Sequence, residues 1–193
     1  MDPDTDYEAE IEAERREKER YFAEHPRSPV ADAEFAGLDY FPVDPAYRFE
    51  LELDRRDDPP TISVGTSTEG ERDYLRWGEF HFEVNGEELT LSAFKGDPDD
   101  DRLWVPFRDE TNGEETYGAG RYIDLEAHEH RTDDGTWVLD FNRAYNPTCA
   151  YNYAYECPLV PMSNWLEARI EAGEKDYPGE PVEPHGHGHD HDH

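Results

Sequence analysis

Lysine is nearly missing from this 193-residue chain: Lys18, Lys95 and Lys175 are all there is, and every other basic side chain is an arginine. The 18 basic groups face 49 acidic ones, for a net charge of -31. No basic face is left to neutralise a phosphate backbone, so the expectation is no nucleic-acid partner. Long apolar runs are missing too. Nothing approaches the ~20 residues of a membrane helix, and the acidic opening residues resemble neither part of a signal peptide. The expected setting is cytoplasmic, away from membranes. Only two cysteines occur, Cys149 and Cys157, too few for a disulfide framework.

Aromatic residues are plentiful. They make up 13% of the chain and recur in ordered patterns, whereas a disordered polyanion is poor in large apolar groups. The length suits one domain with its own core. Such an acidic surface repels itself in dilute buffer, and at molar salt the Debye length falls to about 3 Å. A halophilic, salt-rich cytoplasm is therefore expected.

The pattern predicts a helix from about Asp6 to Glu24, with Thr5 and Glu8 as a capping box and Pro26 and Pro29 ending it. Beyond Phe35 the period becomes two. Tyr47, Phe49, Leu51 and Leu53 alternate with charged residues, and Ile62 and Val64 mark a short run. Phe80, Phe82 and Val84 lead into Asn85-Gly86, and Leu89, Leu91 and Ala93 resume the alternation, which defines a hairpin. Further strands are expected at Leu103–Phe107, Arg121–Leu125 and Trp137–Phe141, the last placing Asp140 and Asn142 on one face. A short C-terminal helix is expected from Ser163 to Gly173. The predicted fold is mainly β: an antiparallel meander closed as a barrel or sandwich, with helices at both ends. The expected organisation is an acidic helix over 1–26, one β domain over 27–175 and a disordered His-rich tail over 176–193.

Two stretches concentrate chemistry. One is Phe107-Arg-Asp-Glu-Thr-Asn-Gly-Glu-Glu-Thr-Tyr-Gly-Ala-Gly-Arg-Tyr122. The other is Leu139-Asp-Phe-Asn-Arg-Ala-Tyr-Asn-Pro-Thr-Cys-Ala-Tyr151, followed by Cys157-Pro-Leu159 and Ile170-Glu-Ala-Gly-Glu-Lys175. These motifs, with Phe35–Arg48, resemble the bacterial and archaeal family known as domain of unknown function 1684, over roughly residues 28–175. The resemblance implies an all-β fold and no established activity. Longer members carry an extra N-terminal β module, and this chain resembles a haloarchaeal short form.

The residues themselves leave three functions open. The first is a small-ligand-binding or structural β domain, with candidates Asp109, Thr111, Tyr117, Arg121, Asp140, Asn142, Tyr145, Asn146, Cys149 and Cys157. In this reading Arg121 pairs with Asp140, Tyr117 or Tyr145 donates to Asp140, and Gly118 and Gly120 admit a close backbone approach. The same groups can instead form a buried network that only pins strands. The second is an enzyme using Asp109 or Asp140 as acid–base, with Asn142, Asn146 and Cys149 in support; no histidine stands in the motifs to pair with Cys149. The third is metal handling. His185, His187, His189, His191 and His193 suit weak binding of a divalent transition metal by the tail. Cys149, Cys157, His128 and His130 are a zinc-like donor set, although seven residues separate the thiols. Tyr151, Tyr153 and Tyr155 read as a period-two stripe, either sheet packing or a stacking platform.

Overall fold

The computed structural model describes residues 3–31 and 33–183. Helix α1 (Pro3–Glu24) is followed by strands β1 (Arg48–Leu51), β2 (Asp54–Arg55), β3 (Thr61–Gly65), β4 (Glu71–Val84), β5 (Glu87–Lys95), β6 (Arg102–Phe107) and β7 (Arg121–Glu126). One helical turn, α2 (Ala127–His130), leads to β8 (Trp137–Asp140).

α1 starts at Pro3, so Thr5 lies inside the first turn and does not cap it. Proline suits that position because its missing N–H has no helical partner there. Tyr7, Ile11, Arg15, Lys18 and Phe22 recur at helical spacing, and Ile11 and Phe22 are buried. Polar anchors hold the rest of this stripe to the body. Arg15 donates to the Phe41 carbonyl at 2.8 Å, Lys18 meets Glu174 at 2.7 Å, and Arg143 reaches Glu14 at 3.0 Å.

The expected hairpin is present. Asn85 (φ 51°) and Gly86 (φ 84°) both sit in the left-handed region, joining β4 to β5 at Val84↔Glu87. The large antiparallel sheet runs β2-β4-β5-β6-β7, with β3 also on β4, while β1 and β8 form a separate two-stranded sheet. Phe80, Phe82, Leu91, Leu103, Val105, Ile123 and Leu125 face Trp137, Leu139 and Phe141 across one core, with Phe49 and Leu51 at its margin.

No closed barrel forms among the described residues. The cause lies after β8: the Asp140 side chain accepts the Asn142 N–H and turns Phe141–Arg143 into a 3-10 turn. β8 ends there, and among the described residues the outer edge of β7 is bridged by Tyr145, through Tyr122 N–H to Tyr145 O at 2.8 Å and the reciprocal bond at 2.9 Å. Asp140 and Asn142 are joined by this turn, not by alternation along a strand.

The expected C-terminal helix is also replaced. Only Met162–Asn164 forms a 3-10 turn. Leu166, Ala168, Ile170 and Ala172 then point inward alternately, and the segment bonds alongside residues 108–110, with Leu166 N–H to Arg108 O at 2.7 Å and Glu110 N–H to Ala168 O at 2.9 Å. Asn164 is fully buried. Its amide bonds the Ser92 N–H (2.8 Å) and the Ser92 and Pro106 carbonyls (2.9 and 2.7 Å). That amide bridges β5 and β6 where their own pairing is limited to Phe94↔Trp104.

Residues 176–183 do not fit the expectation of a disordered tail. Tyr177 is buried, and Val182 exchanges backbone bonds with Tyr151 and Tyr153. The histidines His185, His187, His189, His191 and His193 lie outside the described residues. No described helix is long and apolar enough to cross a membrane.

Candidate functional site

The polar residues singled out by the sequence separate into distinct networks, most of them closed. Arg121 has no exposed surface. Its guanidinium donates to the carbonyls of Ala172, Ile170 (2.9 Å) and Glu174 (3.3 Å), and meets Asp109 at 3.5 Å. The Asp109 carboxylate also accepts the Thr111 hydroxyl at 2.7 Å and the Ile170 N–H at 2.8 Å. Arg121 thus pairs with Asp109, not Asp140, and fastens the 170–174 segment to β7.

Asp140 serves α1. It accepts the Tyr7 hydroxyl and the Asn142 backbone and side-chain amides, both at 3.0 Å, so neither Tyr117 nor Tyr145 is its donor. Asn142 continues to the Asp44 carbonyl at 2.8 Å. Burial and the Asp140 carboxylate push the Tyr7 hydroxyl well above its ordinary range. Asn146 belongs to a third group. Its N–H bonds Glu174 at 3.0 Å and its side chain bonds the Lys175 carbonyl at 2.9 Å, while fully buried Glu174 also takes the Tyr151 hydroxyl. Asp109 and Asp140 are 7% and 1% exposed and engaged by protein partners, the state expected of scaffold carboxylates.

Of the paired glycines, only Gly120 makes a close approach. At φ 106° a Cβ there would stand 2.6 Å from the Phe107 carbonyl, whereas nothing lies within 4 Å of one at Gly118. The tyrosine stripe is not a strand: Tyr151 is buried, but Tyr153 and Tyr155 are exposed. The zinc-like set is not assembled either. His130 accepts the Glu126 N–H at 2.9 Å, and among the described residues the close metal-competent trio is the largely exposed Glu126, His128 and Glu129.

Of the remaining candidates, Tyr145 borders a more open region that the sequence reading missed, while Tyr117, Cys149 and Cys157 do not line it. The core-facing residues of β6 and β7 leave Trp104, Tyr122 and Asp124 on the opposite face of the sheet. There Tyr74 lies 4.7 Å from Trp104, Trp104 is 5.2 Å from Tyr122, and Tyr122 is 5.9 Å from Tyr145, between ring centroids. Phe94 joins the row 5.8 Å from Trp104. These rings floor a groove of about 270 Å³, with Arg72, Arg102, Asp100 and Asp124 among its lining residues. Asp124 accepts the Tyr145 hydroxyl. Burial raises the pKa of this carboxylate, against the lowering effects of that bond and of Arg102. Burial likewise raises the hydroxyls of Tyr122 and Tyr145. An outward sheet face with one covering layer is ordinarily polar, so the sequence signal was a strand carrying large apolar groups on both faces.

A second cavity of about 350 Å³ lies under α1, lined by Arg15, Lys18, Tyr40, Arg143 and Tyr145 among others. Its cations are already engaged by Phe41, Glu174 and Glu14.

The architecture is that of a mainly β protein with two antiparallel sheets, an N-terminal helix and an aromatic groove on the outer sheet face. The chain belongs to the family described as protein of unknown function (DUF1684), whose model matches residues 33–175, as the motifs of both stretches implied. It is similar in structure to an uncharacterised protein of Haloarcula marismortui solved by NMR in solution. The TM-score is 0.68 at 42% identity, covering 91% of this chain and 97% of that one. No curated protein matches.

Proposed function

We propose that the protein is a small-ligand-binding β domain of a salt-rich cytoplasm, and that its site is the groove over Tyr74, Trp104, Tyr122 and Tyr145. The observation that carries this reading is the row of aromatic rings ending at a partly buried carboxylate, in a groove that opens beside Pro158 on the outer sheet face. Aromatic faces stack on flat ligands, and one well-placed acceptor orients them. Asp124 selects a ligand with a hydrogen-bond donor at its edge, such as a heteroaromatic base or the hydroxyl-bearing face of a hexose. Arg72 and Arg102 favour an electron-rich substituent at the rim. The salt-rich setting is supported by the charge of -31 and by the similarity to a haloarchaeal protein.

The test is a fragment screen by two-dimensional NMR in molar KCl, using heteroaromatic bases and methyl hexosides. Binders are expected to shift the Trp104 indole and the Tyr122 and Asp124 amides, and Trp104→Ala is expected to abolish those shifts while the rest of the spectrum persists. The reading fails if no probe perturbs the groove, or if the shifts survive the substitution.

A further inference from the structure

We propose that Cys149 and Cys157 form a peroxide-reactive thiol pair, in which Cys149 attacks and Cys157 resolves to an internal disulfide. The proposal stands apart from ligand binding in the groove. Both thiols are free and buried, yet the chain folds them together. The Thr148–Ala150 turn directs the Cys149 N–H onto the Cys157 sulfur at 3.4 Å, which sets the two residues against each other. Cys157 is held from its other side, where its N–H donates to the Ser67 hydroxyl at 3.0 Å and its carbonyl accepts the Ser67 N–H at 2.8 Å.

The surroundings of the two sulfurs differ. Cys149 has the Tyr117 hydroxyl at 3.5 Å, and the neighbouring Cys157 thiol and nearby hydroxyls hold its own thiol below the ordinary range. Polar neighbours of this kind favour the thiolate of Cys149. The adjoining Cys149 sulfur and burial both push the Cys157 thiol up, which keeps it protonated. One thiol is thus prepared as nucleophile and its neighbour as proton-bearing partner, without a histidine. Access is narrow. Cys149 is 5% and Cys157 8% exposed, which admits a small neutral oxidant and hinders a bulky disulfide reagent.

The co-reactant is a hydroperoxide. The Cys149 thiolate attacks the distal oxygen and the O–O bond breaks. A sulfenic acid forms on Cys149, and the leaving oxygen takes a proton as water or alcohol. The Cys157 sulfur, giving up its proton, displaces hydroxide from the sulfenic acid, which yields the S–S bond and a water. With hydrogen peroxide, two thiols and one peroxide become one disulfide and two waters, and two electrons pass from sulfur to oxygen.

The full chain, folded in molar KCl, is treated with hydrogen peroxide and mapped by peptide mass spectrometry without reduction. Wild type is expected to lose both titratable thiols and yield a Cys149–Cys157 linked peptide. Cys157→Ser with dimedone present is expected to give an adduct on Cys149, and the bulky reagent dithionitrobenzoate to react more slowly with native than with unfolded protein. The wild-type crosslink is decisive even if a variant folds poorly. Thiols that survive peroxide, oxidation to sulfinic acid without a crosslink, or an adduct on Cys157 in Cys149→Ser would each overturn the assignment.

Discussion

Replacing Arg121 by methionine isolates the buried network at the heart of the first motif. Methionine keeps most of the apolar stem but removes every donor. The carbonyls of Ile170 and Ala172 then lose their guanidinium partners, and Asp109 keeps only its bonds to residues 111 and 170. Breaking a buried ion pair on one side costs roughly 3–5 kcal/mol, a large part of the ~5–15 kcal/mol that holds a domain folded. For a chain of this size that corresponds to a fall in Tm on the order of 10 °C. Urea unfolding followed by near-UV circular dichroism at 1 and 3 M KCl (concentrations set well above the ~0.15 M physiological reference) measures it. The midpoint is expected to drop with an unchanged slope, and by the same amount at both salts, because solvent ions do not reach a group with no exposed surface. Arg169→Ala is the control, since its three carboxylate partners are at the surface and its smaller effect should shrink with salt. A loss below about 1 kcal/mol for Arg121→Met, a value ordinary for surface pairs, or a loss that fades with salt, refutes the role assigned to the network.

Asp124→Asn is expected to raise stability while removing groove binding. Burial raises the carboxylate's pKa in the fold, so the stability linked to this group is full at low pH and is lost as pH rises through the elevated value; thermal melts against pH should show that loss in wild type and not in the variant. Gly120→Ala, which forces a Cβ to 2.6 Å from the Phe107 carbonyl at φ 106°, is expected to cost at least the ~1–3 kcal/mol of a strained backbone, whereas Gly118→Ala should be nearly silent in the same urea titration. Dialysis to low salt lengthens the Debye distance to about 10 Å at 0.1 M and beyond, and near-UV circular dichroism should then collapse and return when KCl is restored; a spectrum that persists in dilute buffer removes the salt-dependent reading.

The parts of the fold legible in the sequence are those written in local chemistry. Asn85-Gly86 specifies its turn because both residues tolerate positive φ, and the alternation through Leu103, Val105 and Phe107 identifies a core-facing strand without reference to anything distant. The 163–173 segment shows the limit. Its leucine, alanine, glutamate and arginine favour a helix, with a serine before and a glycine after, yet Leu166, Ala168, Ile170 and Ala172 alternate strictly with charged residues. The period of two was the truer signal, and the edge beside Arg108–Glu110 decided between them by supplying backbone partners that a lone helix would not use.

The site was harder to see for a related reason. Charged and amide residues look alike in sequence whether they meet a ligand or the protein's own main chain. What made scaffolds of Arg121 and Asp140 was the arrival of the Ile170 and Ala172 carbonyls and of the Tyr7 hydroxyl, about 50 and 133 positions away. The informative anomaly was apolar instead. In a chain that covers its surface with carboxylates, Tyr74, Trp104, Tyr122 and Tyr145 stay together where a polar face would be more soluble. Partly burying Asp124 beside them carries an electrostatic cost, and its bond to Tyr145 offsets only part of it. For the scaffold alone, asparagine would accept the same Tyr145 hydroxyl without the charge. A binding site gains from the charge, because the carboxylate accepts from a donor that asparagine's amide meets more weakly. The opposite signs predicted for Asp124→Asn in stability and in binding follow from that difference.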